Sequence, residues 1–165
     1  MRIVSIATLF ILPCLTLTTA LAATTRTWTI SNGEVERTLA FGPSGLVTER
    51  WSDLKTHTDY IKPEGLKAEL APEFSFQCNG RTYSGHGSDF SFLSADEAPL
   101  PNGKSLTIRL RSNQLPLDVS LIYSVYDGQP AIRKHLVLQN TGSAPLHLSH
   151  LDIEAIAPTV GPEDE

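Results

Sequence analysis

Cysteine is scarce: the 165 residues hold two, Cys14 and Cys78, and the first falls in a segment read below as a removable leader. Cys78 is then alone, which excludes an intrachain disulfide framework and any cysteine-built zinc or redox motif. Its place in FSFQCNG, in phase with Phe74 and Phe76, predicts a buried thiol. Basic side chains are also few, 13 against 18 acidic ones, which argues against nucleic acid or anionic lipid as partner. A Gly-rich phosphate loop, Ser-His-Asp spacing and a basic-aromatic patch are all missing, so the sequence points to no cofactor. Beyond the first 22 residues no window repeats its apolar positions with helical spacing.

What is present begins with a leader. Arg2, the apolar run Ile3 to Leu17 and then TTALAA have the three parts of a secretory signal peptide, with Ala20-Leu21-Ala22 as the cleavage site. Residues 1–22 are therefore read as signal peptide and 23–165 as one exported β-sandwich domain, secreted or periplasmic and free of the membrane after cleavage. Pro13 beside Cys14 does not suit lipid attachment. The mature part keeps 12 basic and 18 acidic side chains, a formal charge of −6, and is long enough for a sizeable core.

Alternation dominates that part. In SLTIRLRS, Leu106, Ile108 and Leu110 share one face; in LDVSLIYSVY, Leu117, Val119, Leu121, Tyr123 and Val125 do the same. Trp28/Ile30, Val35/Leu39/Phe41 and Phe74/Phe76 are shorter copies. Between the runs stand Asn32-Gly33, Asn79-Gly80, Asn102-Gly103 and Asp127-Gly128, pairs that tolerate the positive φ of tight hairpins. The expected fold is an all-β, antiparallel β-sandwich of about ten short strands. Residues 52–73, with two prolines and little alternation, read as one long irregular stretch.

Near the end, Ile132, Leu136 and Leu138 form one strand face, QNTGSAP turns the chain, and Leu146 and Leu148 begin the return. The apolar phase then slips to Leu151 and Ile153, which predicts a β-bulge near Ser149-His150 and a strand with a neighbour on each side.

ISNGEVERTLAFGPSGLVTERWSD, then PEFSFQCNGRTYSG, and later YDGQPAIRKHLVLQNTGSAPLHLSHLD together resemble the N-terminal β-supersandwich domain of secreted α-galactosidases of glycoside hydrolase family 36, which is related in fold to galactose mutarotase. The resemblance spans most of residues 28–156. It implies a partial galactose mutarotase-like supersandwich, possession of a galactoside as ligand, and a role beside a catalytic (β/α)8 barrel that carries both catalytic aspartates and has no counterpart here. The chain alone is then expected to be inactive, with no catalytic residue, and to pair with such a barrel or to oligomerise. It implies also that the chain covers only part of the supersandwich.

Candidate residues follow from what a sugar requires, an aromatic platform for its C–H face and planar polar groups for its hydroxyls. Trp51, Asp53, His57 and Tyr60 cluster at the start of the irregular stretch, against the plainer reading that Trp51 packs in the core with Leu46. GHGSDF places His86 and Asp89 in a Gly-rich turn similar to one in the family, and the resemblance implies a substrate-binding role for Asp89. Asp152 and Glu154 share a strand face at about the spacing of paired glycosidase carboxylates, yet alternation alone makes them a solvated polar face. His135, His147 and His150 read as exposed strand histidines and not as a metal site. His86 or His57 with Glu73 match the acid and base of a mutarotase only in residue type. The alternative to a hydrolase domain is a stand-alone secreted sandwich that binds carbohydrate or protein.

Overall fold

Strict alternation decides the centre of the molecule. Leu117, Val119, Leu121, Tyr123 and Val125 turn one face of a strand inward, and none exceeds 2% exposure. In the computed structural model, which describes residues 24–61 and 71–156, that strand is β9 (Leu117–Tyr126). It lies within a four-stranded sheet with β7 (Phe90–Leu100), β8 (Gly103–Ser112) and β10 (Ile132–Asn140), ordered β10-β9-β8-β7. A second four-stranded sheet is the meander β1 (Arg26–Ser31), β2 (Val35–Gly42), β3 (Gly45–Asp53) and β4 (Thr58–Ile61). A third, of three strands, joins β5 (Ser75–Cys78), β6 (Arg81–Ser84) and β11 (Leu148–Asp152) in the order β11-β5-β6. Every pairing is antiparallel. The sheets pack as a sandwich, and no helix occurs among the described residues.

The interior is one cluster to which all three sheets contribute: Leu39 and Leu46 from the first, Ile108 and Leu121 from the second, Phe76 and Cys78 from the third. Burying each such Leu or Ile side chain contributes about 1.5–3 kcal/mol. Phe74, Phe76 and Phe90 meet edge to face or stacked, with centroids 5.1 to 6.4 Å apart. Cys78 is buried, as its phase with Phe76 predicts. At the sandwich's side, Trp28 of β1 stacks on Phe92 of β7 at 5.4 Å.

The turn residues do what their chemistry allows. Asn79 and Gly80 both take positive φ, 51° and 75°, the two-residue turn that matches strand twist. Gly45, at φ +79°, has another reason: a Cβ there would run into the Gly85 carbonyl. That close approach lets Leu46 N–H donate to Gly85 O at 2.8 Å and Gly87 N–H to Ser44 O at 2.8 Å, stapling the GHG turn to the start of β3.

Two expectations change in detail, and one between them holds. The stretch 52–73 is not irregular throughout, because β3 runs to Asp53 and β4 occupies Thr58–Ile61; residues 1–23, 62–70 and 157–165 lie outside the described part, and the expected signal peptide lies there with them. The bulge sits where the phase slip placed it, between Ser149 and Asp152, with His150 at φ +48°. Its strand, however, has a neighbour on one side only: β11 pairs with β5 and leaves Leu151 and Ile153 about half exposed.

Candidate functional site

Two cations occupy inward strand positions that alternation would give to apolar residues. On β2 the inward series is Val35, Arg37, Leu39; on β10 it is Ile132, Lys134, Leu136. The side chains of Arg37 and Lys134 are 2% and 7% exposed. Buried charge persists only when paired and hydrogen-bonded, and the partner is Glu73, itself buried just before β5.

The Arg37 guanidinium donates to both Glu73 carboxylate oxygens at 2.9 Å, through Nε to Thr48 Oγ1 at 2.7 Å, and to both Glu154 oxygens at 3.0 and 2.8 Å. Lys134 Nζ donates to Glu73 Oε2 at 2.8 Å and to its backbone carbonyl at 2.5 Å. Tyr123 O–H reaches Glu73 Oε2 at 2.5 Å, and the Thr48 hydroxyl donates to Oε1. Two positive and two negative groups balance. Burial alone would raise the Glu73 pKa; the charges of Arg37 and Lys134 and the donated hydrogen bonds reverse this and hold it at about 2. Burial, and then the Glu73 charge, push the Tyr123 hydroxyl well above the ordinary tyrosine range. A carboxylate so neutralised does not act as an acid or base near neutral pH.

Trp51 links this cluster to the surface. It stands opposite Arg37 in the β2–β3 ladder, and the guanidinium lies 4.8 Å from its ring centroid. Tyr60 of β4 meets its ring edge-on at 6.1 Å. Both rings line a groove of about 450 Å³ with Val35, Asp53 and, from across the molecule, Pro130, Ala131, Ile132 and Ile156. Strand pairing explains the assembly: Val35 lies opposite Asp53, and the β3–β4 hairpin brings Tyr60 alongside Trp51. Asp53 Oδ1 accepts the backbone N–H groups of Lys55 and Thr56 at 2.8 and 2.9 Å, and these, Thr56 foremost, hold its carboxyl below the usual range. The Trp51 indole Nε1 is buried with no acceptor among the described residues.

No family model, curated protein or solved structure matches the chain.

Of the residues singled out from sequence, the fold therefore brings Trp51, Asp53 and Tyr60 to one groove. His57 falls in a neighbouring depression with Asp53. His86 and Asp89 stand elsewhere: His86 bridges Gly45, six residues before Trp51 along β3, or about 20 Å at strand rise. Asp89 is occupied in holding its own turn, taking Arg81 at 2.8 Å and the Ser84 N–H at 3.3 Å. Trp51 also packs against the core, as the plainer reading of it expects.

The solvated face expected for Asp152 and Glu154 holds for Asp152, which is exposed, and is corrected for Glu154. Asp152 accepts the Ser75 hydroxyl at 3.0 Å, while Glu154, past the bulge and free of strand alternation, turns in to Arg37 and Lys134. The Glu73 carboxylate is bonded to Arg37, Lys134, Thr48 and Tyr123, not to His57 or His86. His135, His147 and His150 are exposed, and no metal-binding group of His, Cys, Asp and Glu occurs among the described residues. Sequence reasoning passed over Arg37, Lys134 and Tyr123. Their signal was available: two cations in phase with strand apolar residues need a buried carboxylate somewhere.

Proposed function

We propose that this is a non-catalytic β-sandwich domain of an exported α-galactosidase-like glycoside hydrolase, whose Trp51–Tyr60–Asp53 groove takes a galactoside. The observation that carries the reading is the make-up of that groove: two aromatic rings, a backbone-anchored carboxylate and otherwise apolar walls. A pyranose offers one apolar C–H face to a ring and hydroxyls to a carboxylate. Tyr60, 42% exposed, is the platform, and Asp53, already fixed by two amides, is positioned to accept hydroxyl hydrogens without further ordering.

The non-catalytic part rests on the carboxylates. Among the described residues Glu73 and Glu154 converge on Arg37 and Lys134, and both are committed to those cations; neither is poised to protonate a leaving group. The resemblance to the family 36 supersandwich supplies the catalytic barrel as the partner. A second reading, a stand-alone carbohydrate- or protein-binding sandwich, is favoured by one fact: the described residues already form a core against which the inward face of the central strand β9 is fully buried.

Tryptophan fluorescence titrated with methyl α-galactoside tests the groove. Saturable change is expected, lost in Tyr60→Ala and retained in Asp89→Ala, with no release of free galactose. Hydrolysis by the purified chain, or binding unaffected by Tyr60→Ala and abolished by Asp89→Ala, refutes it.

A further inference from the structure

Each sheet ends in two edge strands, and exposed edges invite pairing unless something blunts them. Most here are blunted. β4 and β6 have four residues each. β7 carries a bulge between Phe92 and Ser94 and a proline, Pro99. β11 is broken by its bulge at His150. β1 is six residues long and bears Arg26 and the stacked Trp28.

β10 has none of these devices. Its nine residues, Ile132–Asn140, pair with β9 without a register shift, so the strand is regular along its whole length. It contains neither proline nor glycine, and its charges, Arg133 and Lys134, sit at one end. The other end is Leu136-Val137-Leu138, with Val137 48% exposed on the outer face and the two leucines only partly covered on the inner. Among the described residues no strand or loop hydrogen-bonds to its second edge.

We propose that β10 pairs antiparallel with β10 of a second copy about a two-fold axis at Leu136. The sequence of the strand is complementary to itself in that register. Leu136 meets its own copy, Lys134 lies opposite Leu138, His135 opposite Val137, and Arg133 opposite Gln139, so no cation faces a cation and each exposed apolar side chain gains a neighbour. Two four-stranded sheets become one of eight. An isologous contact of this kind closes at two copies and does not propagate. The edge is on the opposite side of β10 from β9, and the axis at Leu136 lies four residues from Ile132, the one residue of the strand that also lines the groove.

The test is the solution mass of the purified protein by sedimentation equilibrium over a wide concentration range. Two copies are expected. Val137→Lys, a change at an exposed position that puts a charge in the seam, is expected to give a single copy with unchanged far-ultraviolet circular dichroism and a urea midpoint that no longer rises with protein concentration. Leu136→Cys is expected to oxidise to a covalent pair, since facing residues at the axis lie about 4.5–5.5 Å apart, whereas Arg133→Cys, removed from the axis, does not; buried Cys78 does not compete. A wild-type mass of one copy, a mass above two, an unchanged mass in Val137→Lys, or no cross-link at Leu136→Cys each overturns the proposal.

Discussion

Replacing Arg37 with Met keeps the apolar length of the side chain and deletes its charge. Five hydrogen bonds go with it, to Thr48, to both oxygens of Glu73 and to both of Glu154. Glu73, 1% exposed, is left with Lys134 and two hydroxyls. Breaking a buried ion pair from one side costs about 3–5 kcal/mol, because the remaining charge stays desolvated. For a domain of this size that lowers Tm by about 10–15 °C. Glu73→Leu is expected to cost at least as much, since it strands two cations on Glu154. Combining the two leaves Lys134 and Glu154, 3.3 Å apart, as a self-neutral pair, so the double variant is expected to cost at least about 2 kcal/mol less than the sum of the singles. Urea unfolding followed by tryptophan fluorescence measures all four species, and Trp51, against which Arg37 packs, reports the site directly. Strict additivity, or a cost below about 1 kcal/mol for Arg37→Met, would refute the view that the cluster is a coupled, desolvated unit.

Acid should unfold the protein through the same cluster. The Glu73 pKa falls from 4.5 to about 2 on folding, so its contribution is fully present above pH 4.5 and is lost as pH drops towards 2, on the order of 3 kcal/mol in all; urea midpoints at stepped pH should fall across that window, and Glu73→Leu should flatten the fall. Gly45→Ala forces an L-residue to φ +79° and its Cβ against the Gly85 carbonyl, so a loss of at least about 2 kcal/mol in urea unfolding is expected. Cys78, 2% exposed, should react with a thiol reagent only as fast as the protein opens, and at once in denaturant.

Alternation made the strands legible, and in β9 it specified the core residue by residue, because a period of two leaves no other face for five large apolar side chains. The slip between Leu148 and Leu151 was equally readable, since only an extra residue reconciles the two phases. The groove was half legible. Trp51, Asp53 and Tyr60 are close in sequence and the β3–β4 hairpin keeps them close, whereas Pro130, Ala131 and Ile132 arrive through packing between sheets, which local pattern does not encode. His86 and Asp89, also near one another in sequence, serve a turn at the other end of β3. The ion cluster escaped because its members are spread from Arg37 to Glu154 and join three sheets or the segments beside them. Glu154 in particular follows a bulge, where strand parity no longer says which way a side chain points.

The central claim is that the Trp51–Tyr60–Asp53 groove binds a galactoside without cleaving it. Saturation-transfer NMR on methyl α-galactoside tests it most directly. The account predicts transfer strongest at the ring protons of one sugar face, abolished by Tyr60→Ala, with the anomeric signal of the glycoside intact after prolonged incubation. Equal transfer in Tyr60→Ala, no transfer at all, or the appearance of free galactose would contradict it.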